Sequence, residues 1–329
     1  MKIINPLIIV IALIALAYVG VGIGLTALFA VVIPYIAIAV FLIGFIYKVI
    51  NWAKSPVPFR IPTTSGQQKS LPWIKQNKFD NPFSTVGVVV RMALEILLFR
   101  SLFKNTQAEV KDNAKVYYGS SKWLWLGGIV FHWSFLIILI RHSRFFLEPV
   151  PGLIGLVEKG DSFMQMGVPL FYMTDAAILI AVTYLFFRRV VVPQIKYISQ
   201  PADYFPLYLI LAIAVTGVMM RYFTRVDIVG IKELARGLVT FSPGIPEGLD
   251  PLFYAHLFLV SVLAIYFPFS KLMHLGGVFL SPTRNLPNNS RAVRHINPWN
   301  PDIKIRTYEE YEDDYRENMK KVGLPVDKE

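Results

Sequence analysis

Long apolar runs separated by shorter polar segments dominate the chain, and several uncharged runs reach the length that crosses a bilayer. The first extends from about Pro6 to Phe45, too far for a single span. Gly20, Gly22 and Gly24 mark its break, which predicts one helix over 5–22 and a second over 26–48. Later runs predict spans over 122–141, 166–187, 204–222 and 251–270. The pattern is that of an all-α, polytopic transmembrane helical bundle of about six spans. A lipid-facing barrel would need segments alternating apolar and polar residues, which the pattern lacks. Met1-Lys2 and Ala15-Leu16-Ala17 imitate a signal peptide, but the segment reads as a retained helix.

The polar segments divide the chain further. Residues 1–50 form two N-terminal transmembrane helices, 51–121 an insertion too polar to cross, 122–275 a four-helix membrane core and 276–329 a tail. Within the insertion, 85–103 combines an apolar face with Arg91, Glu95 and Arg100, which suits an interfacial or partner-packed helix. The tail is rich in Asn and Pro from Ser281, then charged around Tyr308–Lys321, where a solvated helix is expected. Insertion and tail together are expected to dock a cytoplasmic subunit. No repeat of solenoid period is present.

Composition agrees with a membrane protein: 54% of the 329 residues are hydrophobic, and the net charge is +11. In a soluble protein that charge would point to nucleic acid; here the basic residues sit in connecting segments, as positive-inside signals do. Twelve Lys/Arg lie between Lys48 and Lys122, and Arg188, Arg189 and Lys196 join them on that side. The opposite side holds seven: Arg141, Arg144, Lys159, Arg221, Arg225, Lys232 and Arg236. This bias predicts both termini in the cytoplasm of a multi-pass inner-membrane protein, a parity that six spans satisfy. There are no cysteines, which excludes disulfides, covalent CxxCH haem and any Cys-ligated iron–sulfur cluster in this chain.

Four of the five histidines lie in or at the ends of apolar spans: His132 and His142, 10 residues apart, and His256 and His274, 18 apart. An imidazole in hydrocarbon needs a partner. Two antiparallel helices with two histidines each can supply axial ligands to two b haems stacked across the bilayer. His142 then meets His256 at the outer side and His132 meets His274 at the inner side. Eighteen residues make five whole helical turns, so His256 and His274 would share a face. The two intervals correspond to about 15 Å and about 27 Å of helix, and tilting or a distortion near Pro268 must absorb the difference. The rival reading of the same residues is a proton-conducting transporter with relay histidines. His295, beside Asn297-Pro298, has no ligand role. Arg141 and Arg144 are candidate partners for outer haem propionates and Lys271 for inner ones, headgroup contact being the alternative.

The chain resembles the gamma subunit of respiratory nitrate reductase, a di-haem cytochrome b, over roughly 30–285. The similar stretches are PYIAIAVFLIG from Pro34, FHWSFLIILIRH from Phe131, RRVVVPQIKYISQPAD from Arg188 and FPFSKLMHLGGV from Phe267. The resemblance implies ligand roles for His132, His142, His256 and His274 at two haem b irons. The extra N-terminal helix and the insertion look like the M subunit of the membrane complex associated with dissimilatory sulfite reduction, or the membrane subunit of heterodisulfide reductase. Either implies a cytoplasmic iron–sulfur partner in sulfur metabolism. The expected activity is menaquinol oxidation near the outer face, with electrons leaving to that partner. Lys159, where the nitrate reductase family has a functional lysine in a loop that does not align cleanly here, is the expected quinol contact; Glu158 or Asp161 could take a proton.

Overall fold

A computed structural model describes residues 1–55, 66–111, 115–162, 169–294 and 304–328. His295 and the first residues of the expected 166–187 span lie outside them. Among these described residues five helical stretches are long and apolar enough to cross a membrane: Ile4–Gly22, Leu28–Ala53, Lys122–Phe145, Pro201–Thr224 and Pro251–Phe269.

The first is α1 (Ile4–Gly22). It ends in a turn at Gly24, whose φ of +88° is open to glycine and strained for other residues. A π-helical turn, Leu28–Val32, leads into α2 (Ile33–Ala53). The insertion holds α3 (Thr85–Leu98), α4 (Arg100–Lys104) and an antiparallel hairpin of β1 (Thr106–Lys111) and β2 (Lys115–Ser120). No strand was expected there. The hairpin forms where β-branched and aromatic residues cluster in Lys115–Ser120 (KVYYGS).

The core follows as α5 (Lys122–His142), the short α6 (Gly152–Asp161), α7 (Met173–Val191), α8 (Pro193–Ile198) and α9 (Pro201–Val218). Then come the amphipathic α10 (Ile228–Val239), α11 (Pro251–Tyr266), a single turn α12 (His274–Gly277) and the tail helix α13 (Tyr308–Lys321). α13 coincides with the expected solvated helix, and a reciprocal Thr307–Glu310 capping box starts it.

The remaining expected span, 166–187, corresponds to α7, which is 19 residues long but carries Asp175 in its first turn and Arg188 and Arg189 in its last. It runs antiparallel along α5. Arg141 at the end of α5 bonds Asp175 at 2.5 Å, and Gly127 near its start lies under the Tyr184 ring. α11 packs on α1, α2 and α9, with Phe29 and Phe258 edge to face at 5.2 Å in the main apolar cluster.

α11 does not continue to His274. It stops at Tyr266, passes through a 3-10 turn at Phe267–Phe269, and is broken by extended backbone at Ser270. Ser270 Oγ then accepts from Leu272 N and starts a new turn. His256 and His274 therefore lie on separate elements, not on one face of a continuous helix. Pro268 lacks the N–H that would carry the helix on, and its ring rests against Gly44 of α2.

The insertion and the tail are clasped together. Arg91, buried on the inner face of α3, donates to the carbonyls of Arg284 (3.1 Å), Leu286 (2.8 Å) and Asp80 (3.3 Å). Asn288 N donates to Pro82 O at 2.7 Å, and Arg284 pairs with Glu95 at 3.3 Å. Asp80 in turn receives Arg100, Lys104 and Asn77. Burial pushes its carboxyl up, but those hydrogen bonds together hold it below the ordinary value of 3.8.

Candidate functional site

Each of the four membrane histidines has Nδ1 engaged. In His132 it meets the Gly128 carbonyl at 2.7 Å, and in His142 the Ile138 carbonyl at 2.7 Å, one helical turn back in both cases. In His274 it meets the Lys271 carbonyl at 2.8 Å. A carbonyl only accepts, so these three rings carry their hydrogen on Nδ1 and keep an Nε2 lone pair. His256 reaches the same state through Thr216 of α9, whose Oγ1 lies 2.9 Å from its Nδ1. That hydroxyl has one hydrogen, and carbonyls of Ala212 (2.8 Å) and Ile213 (3.0 Å) receive it, so Thr216 accepts from His256.

The rings meet in two pairs. His132 faces His274 with ring centres 5.9 Å apart at 81°, and His142 faces His256 at 6.5 Å and 18°. Two imidazoles bound trans to one iron have ring centres about 6 Å apart, given metal–nitrogen bonds of about 2 Å. Both pairs fit that separation, and all four Nε2 atoms are chemically fit to be ligands. The break after Tyr266 accounts for the unequal intervals of 10 and 18 residues: His274 sits on a redirected turn, not a straight five-turn extension. A side chain at Gly217 would stand 3.4 Å from His256 Cε1, so glycine keeps that flank of the ring narrow.

The cations expected to hold propionates have other partners. Arg141, 7% exposed, pairs with Asp161 at 3.2 Å and Asp175 at 2.5 Å and stacks on Tyr172, with Cζ 3.8 Å from the ring centre. Arg144 pairs with Glu158 at 2.8 Å, and Lys271 with Asp203 at 2.6 Å. Arg221 also stacks on Tyr172, at 4.1 Å, and donates to Leu170 O at 2.9 Å. Its buried Nε has no hydrogen-bond partner among the described residues. Tyr222 links the cluster by donating to Asp175 at 2.9 Å.

Lys159 lies exposed on α6. Glu158 is held by Arg144, and Asp161 is buried, accepting from Thr174 N (2.9 Å) and Oγ1 (2.6 Å). Neither carboxylate is free in the way the sequence reading expected. That reading also missed Thr216, Tyr172, Arg221 and Tyr222. Asp175, an acid inside an apolar run, was the available signal for the cluster; an intrahelical threonine gave none for Thr216.

These features define a polytopic helical membrane protein with two facing histidine pairs whose free nitrogens suit axial ligation. Its family follows from comparison with known proteins. Residues 86–295 match the family model described as nitrate reductase gamma subunit, and the chain belongs to that family. It is 48% identical over 281 residues to the Hdr-like menaquinol oxidoreductase cytochrome b-like subunit of Archaeoglobus fulgidus, covering 83% of this chain and 84% of that protein. The protein of the same description in Archaeoglobus profundus is 42% identical over 280 residues, 83% of each chain. The nitrate reductase gamma chain of Bacillus subtilis is 28% identical over 178 residues, 51% of this chain and 77% of that one.

Proposed function

We propose that the chain is a membrane cytochrome b with two haems b, serving a complex that oxidises menaquinol and delivers the electrons to a cytoplasmic iron–sulfur subunit. The observation that carries this reading is the pairing of four histidines, each with Nδ1 satisfied and no Nε2 partner among the described residues, at separations of 5.9 Å and 6.5 Å. The descriptions of the two Archaeoglobus relatives supply the quinol and favour an Hdr-like partner over a nitrate reductase. A sulfur substrate at that partner rests on the resemblance of the extra helix and insertion.

Haem, when bound, supplies one-electron carriage between the two faces, tuned by its ligands and surroundings. The protein's part is to hold and orient. His142 and His256 would hold the outer group, and His132 and His274 the inner one. The carbonyls of Gly128, Ile138 and Lys271 and the Thr216 hydroxyl keep the ligand rings in one tautomer. Arg221, with no hydrogen-bond partner for its Nε among the described residues, joins Arg141 and Arg144 as a residue assigned to an outer propionate. Lys159 is assigned to a quinone oxygen, since Glu158 and Asp161 are already paired. With α7 as the sixth crossing, both termini lie on the cytoplasmic side, where the clasped insertion and tail offer the docking face. Moving each electron across the membrane against 100 mV is worth about 2.3 kcal/mol.

A redox-poised visible spectrum of the purified chain tests this reading. Two low-spin components are expected, with His132→Ala removing the inner and His256→Ala the outer. Loss of the same component in both variants would refute the pairing. A wild-type chain without haem absorbance would favour relay histidines instead.

A further inference from the structure

Helix α3 is inverted relative to a helix lying on water. Its charged residues face the protein: Arg91 is buried against backbone carbonyls of Asp80, Arg284 and Leu286, and Glu95 pairs with Arg284. Its exposed stripe is apolar throughout, formed by Val86, Val89, Val90, Ala93, Ile96 and Leu97 at helical spacing. The end of the helix is equally unusual. The last carbonyls of a helix have no partner within it and normally turn to water. Here Leu98 O receives the Trp125 indole N–H at 2.7 Å and Leu97 O the Trp133 indole N–H at 3.0 Å, both from α5.

Trp133 lies eleven residues past Lys122, about 16 Å along α5, with its side chain leaning back toward the Lys122 end. That depth is well inside a hydrocarbon layer about 30 Å thick. The chain reverses at Phe99, a bulky residue in the left-handed region at φ 49°, and returns through α4. The Phe99 ring stands edge-on to His132, with centres 5.0 Å apart at 87°.

We propose that α3 and α4 form a re-entrant elbow in the leaflet at the Lys122 end of α5, with the apolar stripe of α3 against lipid acyl chains and Phe99 closing the protein wall beside His132. In hydrocarbon, irregular backbone survives only where protein satisfies its polar groups, and the two indoles do that for the carbonyls at the corner. A face that docked a soluble subunit would not need indole donors at this depth. The inference is independent of whether haem is bound.

The chain has no cysteine, so single labels can be placed without background. Spin labels at Val86→Cys, Val89→Cys and Leu97→Cys, in the purified full chain in lipid nanodiscs, are compared with two controls. Ile43→Cys, on the exposed side of α2, reports lipid; Val322→Cys, after the charged tail helix, reports water. Collision with oxygen should match Ile43→Cys, collision with a water-soluble nickel chelate should be several-fold weaker than at Val322→Cys, and Leu97→Cys should lie deeper than Val86→Cys. Nickel accessibility equal to that of Val322→Cys would overturn the inference, returning the stripe to water and to a soluble partner. So would exclusion of both reagents, which means cover by protein.

Discussion

Three of the membrane histidines take their Nδ1 partner from their own backbone, three or four residues back, whereas His256 draws on a neighbouring helix, on the Thr216 hydroxyl and the Ile213 carbonyl. A backbone carbonyl cannot be mutated away, but Thr216 can. Thr216→Val keeps the shape and removes the hydroxyl acceptor, leaving His256 Nδ1–H only the Ile213 carbonyl. An axial imidazole that donates less strongly is a poorer electron donor, so the oxidised haem loses stabilisation and the outer midpoint potential rises. A net hydrogen bond of about 1 kcal/mol, felt partly in each redox state, corresponds to a rise on the order of tens of millivolts. The inner potential should stay where it is. Potentiometric titration reads both; an unchanged outer component would mean that Thr216 serves only to pack α9 on α11.

At the scale of elements, apolar runs disclosed most of the membrane helices in advance, because uncharged length is a physical requirement of the bilayer and is visible in one dimension. Pro268 likewise marked a distortion in advance. The direction of the break was not legible, since it depends on Ser270 capping the next turn and on Gly44 of α2 lying under the proline. The inward turn of Arg91 was not legible for a related reason: an amphipathic segment shows that it has two faces, but only the tertiary carbonyls of the tail draw the charge inward. The contact at Gly44 carries its own prediction. A Cβ there would stand 2.7 Å from Pro268 Cβ and 2.9 Å from its Cγ, so Gly44→Val must displace the break that aims His274. Overpacking of this kind costs about 1–3 kcal/mol. The inner haem should show altered low-spin EPR g-values or reduced occupancy while the outer signal is retained. Equal disturbance of both signals would point to general misfolding, and no change to a break that does not position His274.

The whole molecule turns on α7. Among the described residues five helices are long and apolar enough to cross, an odd number that would leave the two termini on opposite sides; a sixth crossing would restore them to one. Two of the three charges that disqualify α7 as a simple apolar span are compensated: Asp175 by Arg141 and Tyr222, and Arg189 by Ser199 at 3.0 Å and Asp203 at 3.8 Å. Paired ionic groups near helix ends cost far less than bare ones at the midplane. Contacts with α5 at Asp175 near the start of α7 and at Tyr184 past its middle also fix it as an antiparallel neighbour. If α7 crosses, Tyr197 beyond its end lies on the same side as Tyr118 before α5, and Phe241 after α10 lies opposite; all three are exposed. Single cysteines at these positions, labelled with a membrane-impermeant maleimide in right-side-out and inverted vesicles, decide it. Tyr197→Cys and Tyr118→Cys should react from one face and Phe241→Cys from the other. If Tyr197→Cys instead reacts from the face opposite Tyr118→Cys, with Phe241→Cys on the Tyr118 side, α7 stays on one side, the tail returns to the opposite face from the N-terminus, and the insertion and tail lose the orientation that docking a cytoplasmic partner requires.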